Sequence, residues 1–184
     1  MALTKVQAEG INLADTFAFT GAITGVGVSN LQMFRINAEI SSTTSPTTIT
    51  AYTDAHDSSG FKRIGTAWSV SSGVFTPSVS GLYEIMLIAD LKSNAAARYV
   101  QFDNNYSTNS GGSYSTHTYY AAMPYLNSST TYSNFTIPRY YNITDASTFR
   151  FRIKYSAENT SIIIRGGSDN SVSLLMFKRL ADAQ

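Results

Sequence analysis

Between Leu82 and Leu91 apolar side chains fill most positions, yet they still sort by parity. Tyr83, Ile85, Leu87, Ala89 and Leu91 fall on one face, and Leu82, Glu84, Met86, Ile88 and Asp90 on the other. A period of two marks a β-strand. With one face wholly apolar and the other mostly so, the pattern predicts a strand covered on both sides, in the middle of a sandwich. Two shorter strands precede it. Ser71-Ser72-Gly73 predicts a tight turn between them, because glycine takes the positive φ such turns need. Pro77 and Ser80-Gly81 then interrupt the chain before the long strand.

The same reading extends along the sequence. Phe34, Ile36, Ala38 and Ile40 alternate with Arg35, Asn37 and Glu39, which predicts a half-buried strand. Short strands are expected over residues 49–53, 98–103, 114–123 and 130–137, with a long polar loop over 104–113 and a turn over 124–129. Phe149, Phe151, Ile153 and Tyr155 alternate with Arg150, Arg152 and Lys154. Residues 162–164 form a short buried run, and residues 172–180 close the chain. About ten short strands and no amphipathic helix of useful length predict an all-β fold, a sandwich or barrel. The first 28 residues read differently. A brief capping box at Thr4–Gln7 is followed by Ile11, Leu13, Phe17 and Phe19 at period two, and then by Gly21, Gly25 and Gly27. Large apolar residues ahead of a flexible joint predict an extended N-terminal arm over residues 1–28, attached to a body over 29–184.

Trp68, Phe75, Gly81 and Tyr83 carry a resemblance. An aromatic, six residues, Phe, five residues and then Gly-x-Tyr is similar to the pattern of the complement-head and tumour-necrosis-factor-like family. The chain departs from that pattern upstream, where Asp57 and Arg63 stand for a Phe and an Asn or Asp. It departs again downstream, where Ile85 and Leu87 stand for aromatics. The resemblance implies a jelly-roll β-sandwich whose last strand is central, packed as a homotrimer through aromatic and aliphatic side chains. The N-terminal string from Lys5 to Gly25 resembles the leading segments of structural and fibre proteins of tailed bacteriophages. That implies an arm docked on other virion proteins of the capsid, portal or tail, with Ile11, Leu13, Phe17 and Phe19 as its anchors.

Composition narrows the function. The 184 residues suit one domain, which would bury about 70% of its extended-chain surface. With no cysteine, neither disulfides nor thiolate metal sites support the fold. A net charge of +1 gives no general attraction to nucleic acid or anionic membrane. No run of apolar residues is long enough for a membrane-spanning helix, and the N-terminus lacks the pattern of a secretory signal. The 12 Tyr and 10 Phe exceed what one core of this size easily hides, which an assembly of three would bury.

Catalytic signatures are absent: the chain has no nucleophile elbow, zinc-protease motif or phosphate-binding glycine loop, so it is read as a non-enzyme without a cofactor. His56 between Asp54 and Asp57 reads either as part of a metal or calcium loop or as a plain solvated loop, with no metal assigned, and Asp103-Asn104-Asn105 offers oxygen ligands but lacks the spacing of a calcium loop. Arg150, Arg152 and Lys154 line up on one strand face. They form either a contact for acidic glycans or a solvated row neutralised by Glu84 or Asp90. The tract from Asn104 to Tyr120 sets Tyr106, Tyr114 and His117 among small polar residues, a composition suited to recognition or to ordinary strand and loop. The expected protein is a virion knob, fibre or decoration subunit of a tailed bacteriophage with a host surface glycan as a candidate ligand; a complement-head-like bacterial or extracellular adhesion module is the alternative.

Overall fold

The computed structural model describes residues 28–55, 63–122, 131–167 and 172–184. The arm anchors Ile11, Leu13, Phe17 and Phe19, together with His56 and Asp57, lie outside them. The described residues form thirteen strands in two antiparallel sheets and contain no helix. The first sheet holds β1 (Asn30–Ile36), β2 (Ile40–Ser41), β4 (Tyr52–Asp54), β7 (Gly81–Ser93), β10 (Thr131–Ile143), β12 (Ile162–Ile164) and β13 (Leu174–Ala181). The second holds β3 (Thr47–Thr48), β5 (Ser69–Ser71), β6 (Val74–Thr76), β8 (Tyr99–Ser107), β9 (Ser115–Ala122) and β11 (Arg150–Ala157).

Strand β7 is the spine. One edge pairs with β10 throughout, from Gly81 opposite Ile143 to Ser93 opposite Thr131. The other edge pairs with β13 and then with β12. Tyr83, Ile85, Leu87, Ala89 and Leu91 point into the core, each no more than 1% exposed. The opposite face is only half-buried, so in a single chain β7 is covered on one side rather than two.

Aromatic rings join the sheets. Trp68 stacks on Phe177 of β13 at 4.2 Å and meets Tyr83 edge-on at 5.2 Å. Phe75 packs against Phe34 and Phe177, each at 5.0 Å between centroids. Offset and edge-on arrangements satisfy the ring quadrupoles while removing large apolar areas from water. Gly81 has φ 155°, and a Cβ there would strike the Arg179 side chain and the Ala181 carbonyl oxygen where β13 bulges.

Several boundaries differ from the sequence reading. The expected strand from Phe34 to Ile40 lies further N-terminal, with Ala38 exposed. Buried Gln32 extends it by accepting from the Trp68 amide at 2.7 Å and donating to Asp54 at 2.9 Å. The strand expected over 49–53 is split, because Ile49 turns into the core between β3 and β4. Strand β10 continues through Pro138 to Ile143, whereas the sequence reading stops at Ile137. Its far edge has no strand partner among the described residues, so the missing amide hydrogen costs no ladder bond. The 104–113 loop also shrinks, since β8 carries Asn104, Asn105 and Tyr106 as strand residues.

The turn at Ser72-Gly73 has φ values of 48° and 75°, the left-handed pair that suits a two-residue hairpin. A Cβ at Gly73 would run into the Ile49 carbonyl oxygen. Gly73→Ala is therefore expected to lose about 2 kcal/mol, the cost of left-handed backbone plus a displaced carbonyl, read as a lower urea midpoint. An unchanged midpoint would contradict this placement of the turn.

Candidate functional site

The second sheet carries most of the chemistry, divided between its two faces by strand parity. On β11, Phe151, Ile153 and Tyr155 enter the core, so Arg150, Arg152 and Lys154 face outward. Across β8 they stand opposite Ser107, Asn105 and Asp103. Arg150 donates to the carbonyl oxygens of Ser147 at 2.9 Å and Phe149 at 2.7 Å. The Arg152 guanidinium lies 3.8 Å over the Tyr114 ring, and its Nε reaches Asn105 Oδ1 at 3.3 Å. Asn105 in turn donates to Thr116 Oγ1 at 2.9 Å. The Asp103 carboxylate, 6% exposed, accepts from Gln101 at 2.9 Å and Thr118 at 2.7 Å.

Neutralisation by Glu84 or Asp90 does not occur. Those carboxylates belong to the first sheet, where Asp90 pairs with Arg165 at 2.6 Å and Glu84 lies 4.0 Å from Lys178. The cationic row instead shares its face with tyrosine, amides and hydroxyls. Tyr114 follows a loop closed by its own hydrogen bonds. Ser107 Oγ accepts from the amides of Asn109 and Gly111, and Asn109 Oδ1 accepts from the Ser113 amide at 2.9 Å. Gly111 has φ 89° and sits under the Tyr114 hydroxyl.

Tyr106 and His117 lie on the inner side of the same strands. Their rings stack at 5.6 Å, and Tyr106 also meets Tyr141 at 5.3 Å. With Thr108, Arg139 and Phe149 they line a cavity of about 290 Å³ where the edges of β9 and β10 part. Burial, and then the Arg139 charge, holds the His117 imidazole below its usual pKa. Burial pushes the Tyr141 hydroxyl well above the usual tyrosine range. The six recognition candidates therefore do not form one site. Tyr114, Arg150, Arg152 and Lys154 share the outer face, while Tyr106 and His117 share the mouth. Arg139 and Tyr141 were missed because the strand reading stopped at Pro138. Continuing the parity of Ile137 would have placed both facing inward. Trp68, Phe75, Gly81 and Tyr83 lie in or against the core and line neither site, although Trp68 backs the mouth by meeting Phe149 edge-on at 6.4 Å. Among the described residues, no group of three His, Asp or Glu gathers in a way that could hold a metal.

No family model and no curated protein matches this chain. Solved structures do. Eiger TNF from S. frugiperda superposes with a TM-score of 0.57 at 11% identity, covering 84% of this chain and 94% of that one. Murine APRIL at pH 5.0 superposes at 0.55 and 11% identity, covering 82% and 98%. The fold is a tumour-necrosis-factor-like jelly roll. PRD1 vertex protein P5 aligns more loosely, at 0.45 and 15% identity over 84% of this chain and 99% of that one. Among the jelly roll's described residues, no helix is long and apolar enough to cross a membrane.

The mouth of this jelly roll gives a pH prediction. A base whose pKa is depressed by folding binds its proton more readily once unfolded, so its stabilising contribution is complete above about pH 6.5 and declines as pH falls. Lowering the pH from about 7.5 to about 5 should reduce Tm, and His117→Gln should lose part of that decrease. Identical pH slopes in the two proteins would remove His117 as a contributor.

Proposed function

We propose that the protein is a non-enzymatic structural subunit of a tailed-bacteriophage virion, a homotrimeric knob, fibre or decoration protein. In this reading three copies associate through the outer face of the first sheet. The observation that carries it is a row crossing four strands: Met33, Met176, Met86 and Pro138 stand side by side in register. Leu31, Ile88 and Leu174 flank the row, and in one chain these side chains remain half-buried. A contiguous apolar surface of this kind is uncommon on a solitary chain, and methionine adapts well to an opposing surface. Arg35 lies within the same face with its Nε buried and without an acceptor among the described residues. A carbonyl or carboxylate from a neighbouring copy would satisfy it.

The remaining surfaces fit an assembled particle. Residues 1–28, with Ile11, Leu13, Phe17 and Phe19, would dock on capsid, portal or tail proteins. The opposite, second sheet would then face outward, presenting Arg150, Arg152, Lys154 and Tyr114 to acidic glycans of the host surface. This placement also suits the alternative reading, an adhesion module outside any virion, because a tyrosine-stacked cation flanked by hydroxyls recognises sugars in either setting.

Light scattering on the purified full-length protein tests the assembly. Three chains are expected, and Met86→Lys should give single chains with an unchanged circular dichroism spectrum. Placing one ammonium per copy in the interface costs about 3 kcal/mol or more, at least a 100-fold weaker association. A monodisperse wild-type monomer would end the trimer reading. For the outer face, retention of acidic polysaccharide should fall with salt and vanish in Arg152→Glu. Salt-independent retention by both proteins would remove the glycan contact.

A further inference from the structure

The mouth between β9 and β10 contains a charge that the fold does not account for. On β10, Ile137, Arg139, Tyr141 and Ile143 share the inward face, and all but Arg139 are buried apolar or aromatic residues of the core. No carboxylate among the described residues lies within ion-pair distance of Arg139. Its guanidinium lies 5.7 Å from the Tyr119 ring centroid. An inward charge can discourage unwanted pairing of a free sheet edge. That role explains the cation but not the polar atoms around it. The Tyr141 hydroxyl is buried facing the Arg139 guanidinium, and the Tyr119 hydroxyl and Oδ1 of Asn104 are buried without a hydrogen-bond partner among the described residues. Asn104 stands opposite His117, and Phe102 opposite Tyr119, on neighbouring strands. A guanidinium on a buried side usually meets a carboxylate, so Arg139 without one, beside two unpaired polar atoms on the neighbouring strands, points to a missing anionic partner.

The shape and chemistry of the mouth select that partner. A cavity of about 290 Å³ admits one small ring and little more. Tyr141, only 7% exposed, lines it with Arg139. Tyr106 and Phe149 contribute aromatic ring surface to the lining. A guanidinium presents paired donors to a carboxylate, a tyrosine hydroxyl both donates and accepts, and aromatic faces pack against the C–H faces of a pyranose. We infer that this mouth binds a carboxylate-bearing monosaccharide unit, a hexuronic acid or similar sugar acid, with Arg139 on the carboxylate and Tyr141 on a ring hydroxyl. The site lies within one chain and is separate from the outward-facing Arg152 row.

Titrating glucuronate into the full-length protein, read by the NMR signals of the His117 imidazole, tests the assignment. A saturable shift with glucuronate and none with glucose is expected. Arg139→Gln should weaken binding at least about ten-fold, and Arg98→Gln, which removes an exposed charge elsewhere, should leave it unchanged. Should Arg139→Gln not fold, Tyr141→Phe preserves the ring and should weaken binding about three-fold or more. An equal response to glucose, no saturable shift, or loss of binding in Arg152→Gln with retention in Arg139→Gln would each overturn the proposal.

Discussion

Strand β7 has hydrogen-bonded neighbours along both edges, and its register fixes the rest of the sandwich. A slip of one residue would exchange Tyr83, Ile85, Leu87, Ala89 and Leu91 for a set containing Glu84 and Asp90, bringing two carboxylates into the core. The penalty for desolvating those charges is far larger than the few kcal/mol by which domains are stable. Locking β7 therefore locks β10 and β13, which read their parity from it. The inward aim of Arg139, opposite Ile85, and the outward row of Met33, Met176, Met86 and Pro138 both follow from this one constraint.

The aromatic cluster performs a different task. Hydrogen bonds align strands within a sheet but do not choose which sheet lies above which. Trp68 enters the first sheet's core just before β5 and stacks on Phe177, while Phe75 on β6 reaches Phe34 and Phe177 from the second sheet. The resemblance motif thus marks the contact that holds the two sheets face to face. Its glycine acts at the border of that contact: Arg179 crosses Gly81 and donates to the Ser80 carbonyl at 2.9 Å, an approach any side chain at 81 would block.

The architecture was legible wherever burial was one-sided and apolar. The parity of β7 and β11 appears directly in the sequence because their inward positions are almost all large hydrophobic residues. It fades where hydrogen bonding replaces apolar burial. Asn30 and Gln32 are buried in β1 through bonds to Thr66 and Trp68, and Asn105 is buried in β8 through Thr116, so these positions look like loop in a hydrophobic pattern. Proline misled for another reason, since an edge strand tolerates at Pro138 what a central strand would reject. The site was less legible than the fold. Tyr106, Tyr114 and His117 are close in sequence, but which side of the sheet each occupies depends on where β8 ends and β9 begins, and a polar tract hides that boundary.

Charge placement separates the two sheets further. With 13 basic and 12 acidic residues the chain is nearly neutral, yet its charges are not evenly paired. On the first sheet, Glu39, Glu84 and Asp90 each have a cation within reach, in Lys92, Lys178 and Arg165. Such pairs stabilise little at a surface, but they leave Arg35 as the cation beside the methionine row without a carboxylate in ion-pair contact among the described residues, as suits contact with an identical copy that supplies its acceptor. On the second sheet, Arg150 and Arg152 have no carboxylate in ion-pair contact among the described residues, nor has Arg139 of the first sheet where it faces the mouth, and the Asp103 carboxylate is occupied by Gln101 and Thr118. The positive potential of a nearly neutral protein is thereby concentrated on one sheet and its mouth. An acidic ligand would be drawn to that side, while self-association would favour the other.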